Sequence, residues 1–274
     1  MPKVAFRPYA GTDREERAES DYIRRALEAA LADKIAIAPD FPDDAQFVFG
    51  RPPKHWVPAA SLTYPKRHHL HLAYWTWAGF IENARRSVHV LDLENAVERV
   101  GEIHDEGKDA FVKATMAKFY AAAVPRGTTL SRHLDALAYS FIDRGACLIV
   151  QQHVLMKREY RLFVVDGIPV TGAGTIFNHT PDDNIAAFNP LASNHPSDDN
   201  CDHDEAIVER YLAFARKVIP LMPESTFTLD LALIDGDIGI VEINPLMLGQ
   251  VGLFACDPVL LTTAVLRSCG LLSA

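Results

Sequence analysis

Cationic residues are the first shortage. The 274-residue chain has 27 Lys and Arg against 36 Asp and Glu, a formal net charge of −9, and no long basic run. A nucleic-acid backbone, which needs clustered cations, is therefore not an expected partner. A phosphorylated small ligand stays open, because it needs only a few local cations. Cysteine is also sparse: Cys147, Cys201, Cys256 and Cys269 are far apart and form no CxxC pair. Cys147 and Cys256 have apolar neighbours and read as core residues. No apolar run reaches 18 residues, and the opening MPKVAFRPYAG lacks a secretory apolar region. The expectation is a reducing, cytoplasmic compartment with no membrane partner.

What the chain does contain is an ordinary globular composition, 49% hydrophobic, long enough for a sizeable core in one large domain or two moderate ones. Lys3–Phe6 reads as a strand, Arg14–Leu31 as a helix burying Ile23, Leu27, Ala30 and Leu31, and Phe47–Phe49 as a second strand. Residues 51–66 hold four prolines and read as a loop. Ser87–Leu91 reads as a strand and Leu93–Ile103 as a helix. The polar, glycine-containing stretch 104–109 is the expected boundary between an N-terminal α/β region, 1–105, and a second domain, 106–274. Beyond it come a short strand Ala110–Ala114, an amphipathic helix Leu130–Ile142, an apolar strand Leu148–Val154, and a hairpin Tyr160–Val165 with Ile168–Gly174. The polar stretch 177–204 is long for a structureless loop and has the profile of an active-site lid. Asp204–Ile219 and Pro258–Leu271 read as helices.

The most informative stretch is 226–249, TFTLDLALIDGDIGIVEINPLMLG. Alternation makes Thr226–Ile234 a strand, with Thr228, Asp230, Ala232 and Ile234 on one face. Asp235-Gly236-Asp237 reads as a three-residue turn and Ile238–Asn244 as the returning strand, stopped by Pro245. That register sets Asp230 opposite Glu242, with Asn244 on the same face. Two carboxylates and an amide oxygen form a hard-oxygen set suited to Mg²⁺. The competing reading is a solvated sheet face carrying exposed carboxylates.

Other candidates are less specific. Lys113 emerges from an apolar strand, which demands an anion such as phosphate or a route to water for its ammonium; Lys118 follows five residues later. Arg158, Glu159 and Arg161, in REYRLFVVDG, form either a phosphate clamp or a surface ion-pair cluster. The His68–His71 cluster lacks zinc-site spacing, and no cysteine lies near it. The YWTW run, Tyr74–Trp77, reads as packing, since no basic groove accompanies it.

Taken in order, Lys113 in a short strand, the QQHV hinge, REYRLFVVDG and LDLAL…VEINPLMLG resemble the ATP-grasp family over about residues 106–260. The arginine-rich REYR segment is similar to a clade in which arginine replaces a usual lysine. The resemblance implies an α+β fold, two α+β subdomains gripping ATP, preceded here by the small N-terminal region. It further implies that Lys113, with Lys118 nearby, contacts the nucleotide phosphates. Gln151, Gln152, His153 and Val154 would line the adenine, and Glu159 would support the ribose side or the hinge. Arg161 with Arg158 would face the γ-phosphate, and Asp230, Glu242 and Asn244 would hold Mg²⁺. The activity implied is ligation of a small-molecule or peptide carboxylate to an amine or thiol through an acyl phosphate. A non-catalytic ATP-binding module and a phosphotransferase of the same fold are the alternatives. The sequence departs from the family at Gln152, where Glu is common. It departs again in the segment after Lys113, where Gly127 is the only glycine, and in the N-terminal region, which matches no usual preceding domain.

Overall fold

The structure is a computed structural model that describes residues 4–12, 14–38, 41, 45–50, 73–115, 120–136, 147–174, 205–246, 248, 252–253, 256–273. The expected loop at 51–66, the His68–His71 cluster, Lys118, and the polar stretch 177–204 with Cys201 and His203 lie outside the described residues. In chain order the strands are β1 (Val4–Arg7), β2 (Ile35–Ile37), β3 (Phe47–Gly50), β4 (Val88–Leu91), β5 (Ala110–Ala114), β6 (Ala121–Val124), β7 (Leu148–Gln152), β8 (Met156–Val165), β9 (Ile168–Gly174), β10 (Phe227–Ile234) and β11 (Asp237–Asn244). The helices are α1 (Arg14–Leu31), α2 (Ala78–Asn83), α3 (Leu93–Asp105), α4 (Leu130–Ala136), α5 (Glu205–Val218) and α6 (Pro258–Ser268). The architecture is the expected α+β. The chain divides into one unit of Met1–Leu72, Arg158–Ala232 and Val241–Ala274, and a second of Ala73–Lys157 and Leu233–Ile240.

In the first unit, β2, β1 and β3 form a parallel sheet in that order. Parallel neighbours need a crossover, and α1 supplies it between β1 and β2. The helix buries Ile23, Ala26, Leu27 and Leu31, the period-3.6 stripe of its sequence. β2 was not foreseen, because three residues with Ala36 and Ile37 exposed carry no readable alternation. A four-stranded sheet runs in the order β11-β10-β8-β9. Phe6, Leu27, Phe163, Val165, Leu246 and Leu261 share one core cluster, so α1, β8 and α6 pack together. Asp257 caps α6, accepting from the backbone of Val259 and Leu260, with Pro258 following it.

In the second unit, β4, β7, β5 and β6 form an antiparallel sheet in that order. Its core holds Val100, Ile103, Val112, Leu130, Leu148 and Val150. β6 was missed because AAAV has weak strand preference; the ladder with β5, which pairs Lys113 with Ala121, makes it a strand. The expected strand to Val154 stops at Gln152, and of the helix expected to Ile142 the portion beyond Ala136 lies outside the described residues. Cys147 is exposed and not a core residue. It precedes the first residue of β7, and its carbonyl accepts from both the backbone and the hydroxyl of Thr115. No helix among the described residues is long and apolar enough to cross a membrane.

Candidate active site

β10 and β11 are joined by two residues, not three: Asp235 (φ 53°) and Gly236 (φ 89°), with β11 starting at Asp237. Two successive left-handed residues give the turn whose twist matches antiparallel strands, and Asp-Gly is a preferred pair for it. β10 lies between β11 and β8 and is buried on both faces. Phe227, Leu229 and Leu231 are inaccessible on one side, and Thr228 and Asp230 are buried on the other, Asp230 only 2% exposed. The solvated-face reading of Asp230 is therefore overturned.

A carboxylate so buried requires a partner, and β8 supplies one. Arg161 donates from Nε to Asp230 Oδ1 and from Nη2 to Asp230 Oδ2, both at 2.6 Å. This fork-to-fork geometry is specific to guanidinium and carboxylate. The same Nη2 lies 4.0 Å from Glu242 Oε1, and the exposures of the three side chains, 13% for Arg161, 2% for Asp230 and 27% for Glu242, make Glu242 the member open to solvent. Asn244 donates from Nδ2 to Glu242 Oε1 at 2.8 Å. Arg161 Nη1 also donates to the Gly252 carbonyl at 3.4 Å.

Burial works against the Arg161 charge, but Asp230 beside it, aided by Glu242, outweighs that effect and holds the guanidinium above its ordinary pKa. Burial pushes the Asp230 carboxyl up; Arg161 opposes the rise, and the neighbouring Glu242 charge adds to it. The cluster thus has one deep carboxylate held by arginine and one shallow carboxylate at its rim.

The donors fit Mg²⁺ by type. Asp230, Glu242 and Asn244 offer only oxygen, and with Nδ2 spent on Glu242 the remaining polar atom of Asn244 is an acceptor. Among the described residues no group of three or more His, Cys, Asp and Glu could hold a metal. A sparse set of this kind suits an ion that keeps water and is completed by substrate phosphates. Asp230 differs from the other two in spending both oxygens on Arg161.

The remaining candidates on β8 behave differently. Arg158 adopts a left-handed backbone (φ 49°) inside the strand. Its carbonyl accepts from the buried Tyr211 hydroxyl, and the Tyr211 ring stacks on Tyr160 at 5.1 Å. Non-glycine residues hold such a conformation only when their surroundings enforce it. Tyr211→Phe should therefore lower stability by about 1–2 kcal/mol in urea unfolding, the cost of an unmet buried acceptor. An unchanged midpoint would mean that packing alone holds Arg158. Glu159 is half-buried on the same strand.

In the second unit, Lys113 on β5 donates from Nζ to the Tyr74 hydroxyl at 3.3 Å and lies 5.8 Å from that ring's centroid. Gln151 on β7 is buried, and its Oε1 accepts from Arg86 Nε at 2.7 Å. Arg86 Nη1 also donates to the carbonyls of Ala84 and Ile240, each at 2.8 Å. Gln152 pairs with Ala110 across the ladder, and His153, exposed, stacks on Phe111 with ring centroids 6.4 Å apart. Val154 is half-buried just past the strand end. The sequence reading missed Arg86 as the partner of Gln151 and took Tyr74 only as packing. The available signals were the Arg pair directly before β4 and a hydroxyl within an apolar aromatic run.

Comparison with known proteins adds a family to this geometry. The family model for the ATP-grasp domain of the arginine-for-lysine clade, family 3, matches residues 48–262. No curated protein matches the sequence significantly. Among solved structures, D-cycloserine synthetase DcsG aligns at 15% identity, covering 98% of this chain and 99% of that one with TM-score 0.52. D-alanyl-alanine synthetase A from Vibrio cholerae aligns at 13% identity over 97% and 96%, TM-score 0.54. D-alanine–D-alanine ligase from Bacillus anthracis complexed with ATP aligns at 11% identity over 98% and 99%, TM-score 0.54. At these identities the likeness carries the fold, and the fold is ATP-grasp. Because the family model spans more than three quarters of the sequence, the chain belongs to the ATP-grasp family, as a member of family 3 of the arginine-for-lysine clade.

Proposed function

We propose that the protein is an ATP-dependent ligase that joins a small-molecule or peptide carboxylate to an amine or thiol through an acyl phosphate. The observation that carries this reading is the Arg161–Asp230–Glu242–Asn244 cluster, a fixed cation beside a graded set of oxygen donors. A substrate carboxylate oxygen attacks the γ-phosphorus and ADP leaves. The nucleophile then attacks the acyl carbon and releases phosphate. Arg161 acts at the transferring phosphoryl group, where a preorganised cation stabilises the charge that develops, and Arg158 flanks it. Glu242, Asn244 and Asp230 would hold Mg²⁺, which when bound neutralises phosphate charge. Lys113 and Lys118 serve the nucleotide phosphates, Gln151, Gln152, His153 and Val154 the adenine, and Glu159 the ribose side. Several fold neighbours are named as ligases or synthetases, which supports the reaction class.

The deciding experiment uses a substrate carboxylate labelled with oxygen-18. One labelled oxygen is expected in the released phosphate, with ADP as the nucleotide product. Unlabelled phosphate would exclude the acyl phosphate, and AMP would indicate adenylation. A stable phosphorylated product would favour a phosphotransferase, and ATP binding without turnover a non-catalytic module. For the nucleotide side, Lys113→Ala is expected to weaken ATP binding by about 1.5–3 kcal/mol in calorimetry, the range for a lost charge-assisted hydrogen bond. Unchanged affinity would remove Lys113 from the phosphate site.

A further inference from the structure

We infer that Glu19, on α1 and remote from the site in sequence, is a positioning residue for Arg161, acting through the single peptide group between Gly252 and Leu253. Glu19 is 8% exposed, and Leu253 is 1% exposed. The Leu253 backbone N–H donates to Glu19 Oε2 at 3.0 Å. The other end of that same peptide, the Gly252 carbonyl, accepts from Arg161 Nη1 at 3.4 Å. A peptide is planar, with its N–H and C=O pointing in opposite directions. The carboxylate and the guanidinium therefore fix one orientation of it between them.

The chemistry at each end makes the orientation one-sided. A flipped peptide would aim its carbonyl at the Glu19 carboxylate and its N–H at the Arg161 cation, both repulsive. Gly252 makes the lock necessary: it has φ 65°, a conformation glycine adopts freely, so its own sterics do not select one peptide orientation. Asp230 holds Nε and Nη2 of Arg161, and the Glu19-oriented peptide holds Nη1. Three acceptor oxygens on two chain segments thus set the guanidinium plane. A hydrogen-bond acceptor at position 19 is what this role demands, and net charge is secondary.

The inference concerns how Arg161 is held; its bearing on turnover rests on the ligase reading. The test measures the ¹⁵N signals of Arg161 in the full-length protein, assigned by their loss in Arg161→Lys, and follows the rate of rotation about the Cζ–Nε bond. Glu19→Gln keeps an acceptor oxygen at the same reach and should leave that rate near the wild-type value. Glu19→Met fills the buried space without an acceptor and should speed the rotation several-fold. Glu19→Asp shortens the side chain by one methylene and should do the same, which keeps the test intact if the Met variant does not fold. Equal rates in all variants would overturn the positioning role, as would loss of restraint in Glu19→Gln alone.

MgATP turnover is measured in parallel. Glu19→Asp is expected to lower kcat by about tenfold with KM for ATP little changed, the effect of a displaced catalytic group, and Glu19→Gln to restore it. A wild-type protein that turns over no MgATP, yet follows the expected rotation rates, would remove the ligase reading and leave the role of Glu19 standing.

Discussion

Arg161→Ala is expected to destabilise the protein by about 3–5 kcal/mol, the cost of breaking a buried ion pair from one side. Asp230 is 2% exposed and gives both oxygens to the arginine. Removing the cation leaves the carboxyl in place with burial and Glu242 both disfavouring its charge, so its pKa moves further above the usual value. The folded state then keeps a proton that the unfolded chain, with a pKa of about 3.9, releases. Stability is therefore fullest below that value and falls as pH rises toward the folded one. In urea unfolding the deficit of Arg161→Ala should be larger at about pH 7 than at about pH 5. Replacing both partners with apolar residues, Arg161→Met with Asp230→Leu, should recover much of the loss. A deficit under about 1 kcal/mol, the level of a surface pair, would show that the interaction is not buried in solution. Arg161→Lys keeps the charge but loses the fork, so turnover should fall more than ATP affinity.

Glu242→Gln is expected to separate function from stability. Gln keeps the shape and the oxygen that accepts from Asn244, and it removes the charge that pushes the Asp230 pKa upward. Folding should change by less than about 0.5 kcal/mol, as for a rim residue, with any change toward stabilisation. Mg²⁺-dependent ATP turnover should nevertheless fall at least about 100-fold, since even residues that only support metal ligands cost up to that much. Titrating Mg²⁺ against turnover in the wild type and the variant checks this. Equal midpoints and equal rates would put the metal elsewhere. Taken together, the two variants assign different tasks to the carboxylates of one hairpin: Asp230 anchors the arginine, and Glu242 faces solvent and the metal.

The sequence by itself determined the local elements and the family. The bounds of α1 came directly from its apolar period, because a helix whose hydrogen bonds close four residues back declares itself within its own sequence. Alternation marked β10, and Asp230, Glu242 and Asn244 stood out because paired carboxylates within a hairpin are separated by only a few residues. Short alanine-rich β6 and edge strand β2 were not legible, since a strand's partner lies outside it and their own residues express little preference.

Only the tertiary structure decided which groups answer one another. Arg161 finds Asp230 across 69 residues, Arg86 finds Gln151 across 65, and Glu19 finds Leu253 across 234. Nothing at one end of such a pair encodes the other. The burial that turned Asp230 from an apparent surface carboxylate into the anchor of Arg161 arises from β10 having neighbours on both edges and cover on both faces. Desolvation is a property of what surrounds a group, and for this carboxylate the surroundings are drawn from parts of the chain that meet only when it folds.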